Sequence, residues 1–203
     1  YGEKALDKLR GMFGFAVWNE QEQSLMLARD FFGIKPVYYA EIDGHFVFAS
    51  EIKSILAFPG YERKVNQKAL EQYLSFQYSP LEETFFKGIY KLMPGHMLLY
   101  KNGNYEIKTY FKTKLTPGKW NRTTNMDQLR SQLAEILKDS VKHHMLSDVE
   151  VGAFLSGGVD SGYLASSSGA DQAFTVGFDE GDRYSEVNKA AKVAEKAGLK
   201  HLS

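Results

Sequence analysis

The chain contains no cysteine. That absence excludes disulfides, thiolate metal sites and a cysteine nucleophile within these 203 residues. There is no apolar run approaching the roughly 20 residues that cross a bilayer, and no signal-peptide pattern follows Tyr1. No membrane partner is expected, and the default location is cytoplasmic. Nor is there an excess of either charge: 25 Lys and Arg stand against 25 Asp and Glu, for a net charge of zero. Nucleic-acid binding by bulk electrostatics is therefore not expected, although a local basic pocket is not excluded. Internal repeats and low-complexity tracts are also missing. The chain opens on Tyr1 rather than on methionine and closes on Ser203 shortly after a helical pattern. It is expected to be a piece of something longer.

What is present supports a sizeable core, since 43% of the residues are hydrophobic. The length fits one large or two small domains. The first part is rich in strand signals. Met12 to Trp18 is an apolar run, residues 19–23 a polar turn and Ser24 to Arg29 a second strand, which together predict a hairpin. Residues 37–42 and 45–50 flank Asp43-Gly44, a tight hairpin signal. Ser50 is placed to cap a short helix over 51–58, which Pro59-Gly60 ends. Residues 66–76 predict another helix, with Leu70, Tyr73 and Leu74 on one face. Turn signals follow at Pro80, Gly88 and Pro94-Gly95, then a hairpin over 96–100 and 105–111 around Asn102-Gly103.

Composition changes over residues 112–126, a polar stretch containing Pro117-Gly118 that reads as a linker between domains at 1–111 and 127–203. Thr124 and Asp127 have capping-box spacing. The helix after them carries Leu129, Leu133, Ile136, Leu137, Val141 and Met145 at helical intervals. Next come a strand over 150–155, a glycine turn, a helix over 159–168, a strand over 173–178, a helix over 184–196 and a strand from about Leu199. That alternation opens a parallel α/β sheet with helical crossovers.

The turn itself is Ser156-Gly157-Gly158-Val159-Asp160-Ser161, between the apolar runs 151–155 and 163–165. A strand–turn–helix of this kind leaves the first helical N–H groups unpaired, with the positive end of the helix dipole behind them, and so attracts an anion such as phosphate. The two glycines let backbone approach a ligand without a Cβ in the way. Ser156 and Ser161 add hydroxyl donors, and Asp160 adds a carboxylate suited to magnesium. The turn is neither a Walker loop nor a dinucleotide fingerprint, because Gly-Lys-Ser/Thr and Gly-x-Gly-x-x-Gly are both absent from it. These residues resemble the pyrophosphate-binding loop of N-type ATP pyrophosphatases, enzymes that split ATP between its α- and β-phosphates.

A second set of motifs lies upstream, at residues 9–18, 27–39 and 48–53, the last reading Phe48-Ala49-Ser50-Glu51-Ile52-Lys53. They look like the closing strands of the N-terminal-nucleophile glutaminase domain of the glutamine-hydrolysing asparagine synthetase family, class II amidotransferases. Residues 148–177 and Tyr184-Ser185-Glu186 are similar to the start of that family's synthetase domain. The resemblance covers essentially the whole chain. It implies an α/β plus α+β fold: the C-terminal part of a glutaminase β-sandwich joined to the start of a parallel, adenine nucleotide alpha hydrolase-like domain. It also implies glutamine, aspartate and ATP as substrates, with Mg2+, and a carbon–nitrogen ligation through β-aspartyl-AMP. A homodimer is compatible with it.

Position by position, the resemblance implies that Ser156, Gly157, Gly158, Asp160 and Ser161 form the pyrophosphate loop. Asp160 would help hold magnesium, and the backbone at Leu155 and Val176 would meet the nucleotide. No catalytic residue falls in the chain, because the nucleophilic cysteine and the family's glutamine-binding motifs do not occur in it. This stretch alone is expected to be inactive. Glu150 and Gly162 depart from the family pattern, and Gly162 should weaken its helix by up to about 1 kcal/mol. Related amidotransferases acting on another carboxylate (β-lactam synthetase-like, or on a cell-surface sugar) and a non-catalytic homologue are the alternatives.

Other tempting groups have plainer readings. Arg29-Asp30 and Lys35-Pro36 suit a buried or interdomain ion pair. Phe13, Phe15, Tyr38 and Tyr39 suit sandwich packing. The aromatic stretch 73–90 suits interdomain packing. His143 and His144 point about 100° apart on a helix and cannot serve one ion, so a solvated or helix-end role is expected. Asp179, Glu180 and Asp182 suit a solvated turn.

Overall fold

The computed structural model describes residues 1–115, 125–177 and 185–203. The chain divides into two units, Tyr1–Leu115 and Thr116–Ser203. The first is built of antiparallel strands: β1 (Gly14–Asn19), β2 (Ser24–Arg29), β3 (Tyr38–Ile42), β4 (His45–Ala49), β5 (Ile89–Lys91), β6 (His96–Lys101) and β7 (Asn104–Thr109). They form one sheet in the order β1-β2-β6-β7 and another in the order β4-β3-β5.

Period-two alternation explains how these sheets are covered. On β2, Leu25 and Leu27 join Val37, Tyr39, Leu92 and Leu98 in a core shared by both sheets. Ala28 and Met97 face the other way, onto Leu6 of a 3-10 helix (Gly2–Lys8), with Phe13 and Phe15 beside them. On the second sheet, Ala40, Ile42 and Ile89 pack against Ile55 of helix α1 (Ile52–Leu56). The hairpin turns use the expected residues: Asp43 and Gly44 at φ 48° and 75°, Asn102 and Gly103 at φ 54° and 77°.

Four details differ from expectation in this unit. Ser50 does not cap α1; the N-cap is Glu51, which makes no side-chain capping bond. β5 and the 3-10 helix carry no local pattern that announced them. The face of α2 (Gln67–Phe76) formed by Leu70, Tyr73 and Leu74 is largely exposed, Leu74 by 74%. And two of the aromatics expected between domains pack within this unit: Tyr73 meets Phe85 edge-on at 5.1 Å, and Tyr90 stacks on Tyr39 at 5.6 Å.

The second unit alternates as predicted: α3 (Met126–His144), β8 (Ala153–Phe154), α4 (Val159–Ser168), β9 (Gln172–Phe174), α5 (Val187–Ala197) and β10 (Lys200–Leu202). The three strands run parallel in the order β10-β9-β8. The core is made of small side chains, Ala165, Ala173, Ala190 and Ala194 around Leu155. Gly162 is buried on α4, where a Cβ would lie 3.4 Å from Val193 of α5. That is an ordinary van der Waals distance, so nothing in the structure explains why this position is glycine.

Boundaries moved here too. The strand expected over 150–155 shrinks to two residues, because it pairs with β9 only at Ala153 and Phe154. Helix α3 begins at Met126, inside the expected linker, and Asn125 caps it by accepting from Asp127 N at 2.9 Å. Thr124, Phe178 and Tyr184 lie outside the described residues, as do Asp179, Glu180 and Asp182. The whole is a mixed α/β chain with antiparallel sheets in one unit and a parallel sheet in the other. Among the described residues no helix is long and apolar enough to cross a membrane.

Candidate nucleotide site

Strand β8 delivers the chain to the glycine turn. Leu155 is 2% exposed and its side chain anchors the core, while its N–H donates to Phe174 O at 2.8 Å. The backbone then bends at Gly157, whose φ is +73°. A Cβ on Gly157 would meet Lys189 Cβ at 2.7 Å and Ala190 N at 3.0 Å, so the turn lies directly against the first turn of α5. Gly158 is different. Its φ is −78°, it caps α4, and a Cβ there would face only Ser156 Oγ at 3.5 Å and Ser161 Oγ at 3.9 Å. The space beside Gly158 is thus a cradle bordered by two hydroxyls.

The first hydrogen bond of α4 is Gly162 N to Gly158 O, at 3.0 Å. No atom of the described residues accepts from the amides of Gly157, Gly158, Val159, Asp160 or Ser161. Among the described residues, five successive donors at the positive end of a ten-residue helix are therefore without an acceptor. The two serine hydroxyls also bond within the turn. Ser156 N donates to Ser161 Oγ at 3.3 Å, and Ser161 Oγ donates to Gly158 O at 3.3 Å. With that proton used, Ser156 Oγ supplies the proton for its 3.0 Å contact with Ser161 Oγ. Both hydroxyls thus staple the turn at the border of the cradle.

Asp160 is exposed in the first turn of α4. Among the described residues no group of three or more His, Asp or Glu could hold a metal ion. A single carboxylate suits an ion whose other ligands are phosphate oxygens and water, which is how magnesium is usually bound. The donor set fits the group that the sequence implied. Val176 is 70% exposed, one residue beyond Thr175 at the carboxyl end of β9. The structure thus brings Leu155, the glycine turn and Val176 to one edge of the parallel sheet.

Sequence reasoning missed a polar pair at that same edge. Thr175 is buried, and its Oγ1 donates to Leu155 O at 2.6 Å and contacts His201 Nε2 at 2.8 Å. Neither residue stands out in the sequence, because they are 26 positions apart and only the β9–β10 pairing unites them.

The charged corner of the first unit is structural, but not as an ion pair. Asp30, 1% exposed, accepts from four backbone amides: Phe13 at 3.3 Å, Phe32 at 3.1 Å, Ile34 at 3.0 Å and Lys35 at 2.9 Å. Burial raises its pKa, and the four amides outweigh burial and hold it below the usual carboxylate value. Arg29 donates to three carbonyls, Lys35 O, Leu92 O and Gly33 O, at 2.9, 2.7 and 2.6 Å. Tyr110 closes the corner by donating to Arg29 O at 2.5 Å, and burial together with the Asp30 charge pushes its hydroxyl up to about 12. His143 and His144 each turn Nδ1 onto the carbonyl four residues back, Asp139 O and Ser140 O, both at 2.8 Å. That is a helix-end role.

Residues 1–111 match the glutamine amidotransferase domain family, and residues 132–203 match the asparagine synthase family. The chain belongs to the glutamine amidotransferase domain family. The stretch that matches the asparagine synthase family contains every residue of the glycine turn. Asparagine synthetase [glutamine-hydrolyzing] 1 of Bacillus subtilis is 39% identical over 208 residues, covering 100% of this chain and 32% of that protein. A putative asparagine synthetase [glutamine-hydrolyzing] of Mycobacterium bovis is 36% identical over 213 residues, with the same two coverages. Amidase chry2 of Gibberella zeae is 31% identical over 218 residues, covering 98% of this chain and 32% of its own length. The chain thus spans about a third of the length of the curated relatives it matches.

Proposed function

We propose that residues 127–203 are the nucleotide-binding start of an ATP pyrophosphatase domain, and residues 1–111 the C-terminal portion of a glutaminase domain, with the linker at 112–126. The whole protein would then make asparagine from aspartate in the cytoplasm, using ATP and ammonia drawn from glutamine. A carboxylate is a poor electrophile, and adenylation gives it a good leaving group. One aspartate oxygen attacks the α-phosphorus, the α–β bond breaks and pyrophosphate departs with the electron pair. Ammonia then attacks the acyl carbon, AMP leaves with the electrons of the acyl C–O bond, and the nitrogen gives up a proton.

In this reading the open amides of residues 157–161 hold the β- and γ-phosphates and take up the charge that develops as pyrophosphate leaves. The backbone at Leu155 and Val176 meets the adenine nucleotide, at the strand ends where ligands gather in open α/β sheets. Asp160 would hold Mg2+, which when bound neutralises phosphate charge. The single observation that supports the reading best is the run of five unpaired amides beside the Gly158 cradle.

Two readings divide at the acceptor. The alternative to aspartate is a different carboxylate, taken by a sister amidotransferase. The full-length protein, given MgATP and aspartate, should release pyrophosphate only when aspartate is present. Release with another carboxylic acid instead would assign the sister reading. No pyrophosphate with any carboxylate would remove both.

A further inference from the structure

We infer that Thr175 and His201 form a positioning clamp for the nucleotide site, holding the exit of β8 so that the glycine turn presents its amides. The inference rests on the nucleotide reading above. Thr175 is 8% exposed and sits where all three parallel strands end. Its backbone N–H donates to Leu202 O at 2.9 Å, continuing the ladder to β10. Its hydroxyl donates to Leu155 O at 2.6 Å, reaching across to the residue from which the turn departs. One side chain thereby ties the chain after β8 to β9 and β10.

The proton arrangement follows from valence. A hydroxyl has one proton, and a carbonyl oxygen can only accept. The Thr175 proton is therefore on the Leu155 side, and the 2.8 Å contact with His201 must be Nε2–H donating to Oγ1. His201 therefore carries a proton on Nε2 in this bond. The chain of donation runs His201 to Thr175 to Leu155, and each bond strengthens the next. Two residues whose backbones are placed at the nucleotide, Leu155 and Val176, are the ones this clamp fixes: Leu155 through its carbonyl, Val176 as the direct neighbour of Thr175. Neither Thr175 nor His201 need touch the substrate.

The test uses the full-length protein, with MgATP affinity titrated by calorimetry and steady-state kinetics measured beside it. Thr175→Val keeps the shape and removes the hydroxyl, leaving a buried carbonyl and an imidazole N–H unpaired. Its affinity for MgATP should fall about tenfold, while KM for aspartate and glutamine hydrolysis stay as in the parent. Thr175→Ser, which restores the hydroxyl, should recover most of that loss. His201→Gln, which can donate in place of Nε2–H, should bind better than His201→Leu. A structural role alone would lower the unfolding temperature without separating KM for MgATP from KM for aspartate. Parental MgATP affinity in Thr175→Val overturns the clamp, as does equal loss in the valine and serine variants. Should Thr175→Val fail to fold, His201→Gln against His201→Leu decides by the same comparison, and equal affinity there also overturns it. A parent protein that binds no MgATP removes the nucleotide reading itself, and the clamp with it.

Discussion

Gly157 and Gly158 are neighbours that glycine serves for different reasons. At Gly157 the backbone is left-handed and α5 blocks the Cβ position with backbone atoms. At Gly158 the backbone suits any residue, and the Cβ position is open towards the two serine hydroxyls. Gly157→Ala should therefore cost more than about 2 kcal/mol of stability, from the left-handed conformation and the clash together. Gly158→Ala should leave thermal unfolding nearly unchanged and still weaken MgATP binding, because the methyl group occupies the cradle. Unfolding curves beside titration calorimetry on both variants check the contrast. The sequence showed that two glycines were needed and not which task each performs, since the obstruction at Gly157 comes from Lys189, a distant part of the chain. Asp30 is a similar case. Its neighbour Arg29 suggested an ion pair, whereas both side chains serve backbone groups up to 63 positions away. Asp30→Asn should cost about 2–4 kcal/mol, since the amide nitrogen cannot accept and turns against backbone donors. The native pKa of Asp30 is depressed, so the stability it contributes is complete above the unfolded value near 4 and lost as pH falls through the native one. Denaturant midpoints followed below about pH 4 should fall less steeply in the asparagine variant than in the parent.

Elements with their own punctuation were legible, and elements defined by a partner were not. Helix α4 runs over the residues expected because Gly158 opens it and Gly169, at φ 70°, closes it. β2 matches residue for residue because polar Asn19 to Gln23 bound it, with Asn19 Oδ1 accepting from Gln21 and Glu22 at 3.1 and 3.2 Å. β8 is shorter than its apolar run because parallel pairing, not hydropathy, sets where a strand ends. β5 is visible only through its pairing with β3, about 50 residues earlier. The cap of α3 shows how close two local readings can lie. Thr124 and Asp127 had the right spacing, but Asn125 is the residue whose Oδ1 takes the amides of Asp127 and Gln128, at 2.9 and 3.4 Å. Asn125→Ala should therefore cost about 1 kcal/mol. A drop in unfolding temperature for that variant, unmatched by Asn125→Ser, checks the assignment.

At the scale of the whole chain, the two units are packed differently. The antiparallel unit is closed by large residues, Leu27, Leu98, Tyr39 and Ile89, and the parallel unit by alanines. Each buries its own apolar surface, so damage to the surface of one should leave the other folded. Asp160 is a fair probe of that independence. It is exposed, and its side chain makes no hydrogen bond or ion pair with the described residues. Its loss should therefore change the chemistry at the glycine turn without loosening α4. In the full-length protein, Asp160→Ala should abolish aspartate-dependent pyrophosphate release and retain most glutamine hydrolysis. Pyrophosphate assays and glutamate release measured on one preparation give both numbers. Equal loss of the two activities would show that the carboxylate supports the fold or couples the reactions, and that its place beside the phosphates is wrong. Loss of pyrophosphate release alone would tie the glycine turn and its carboxylate to adenylation.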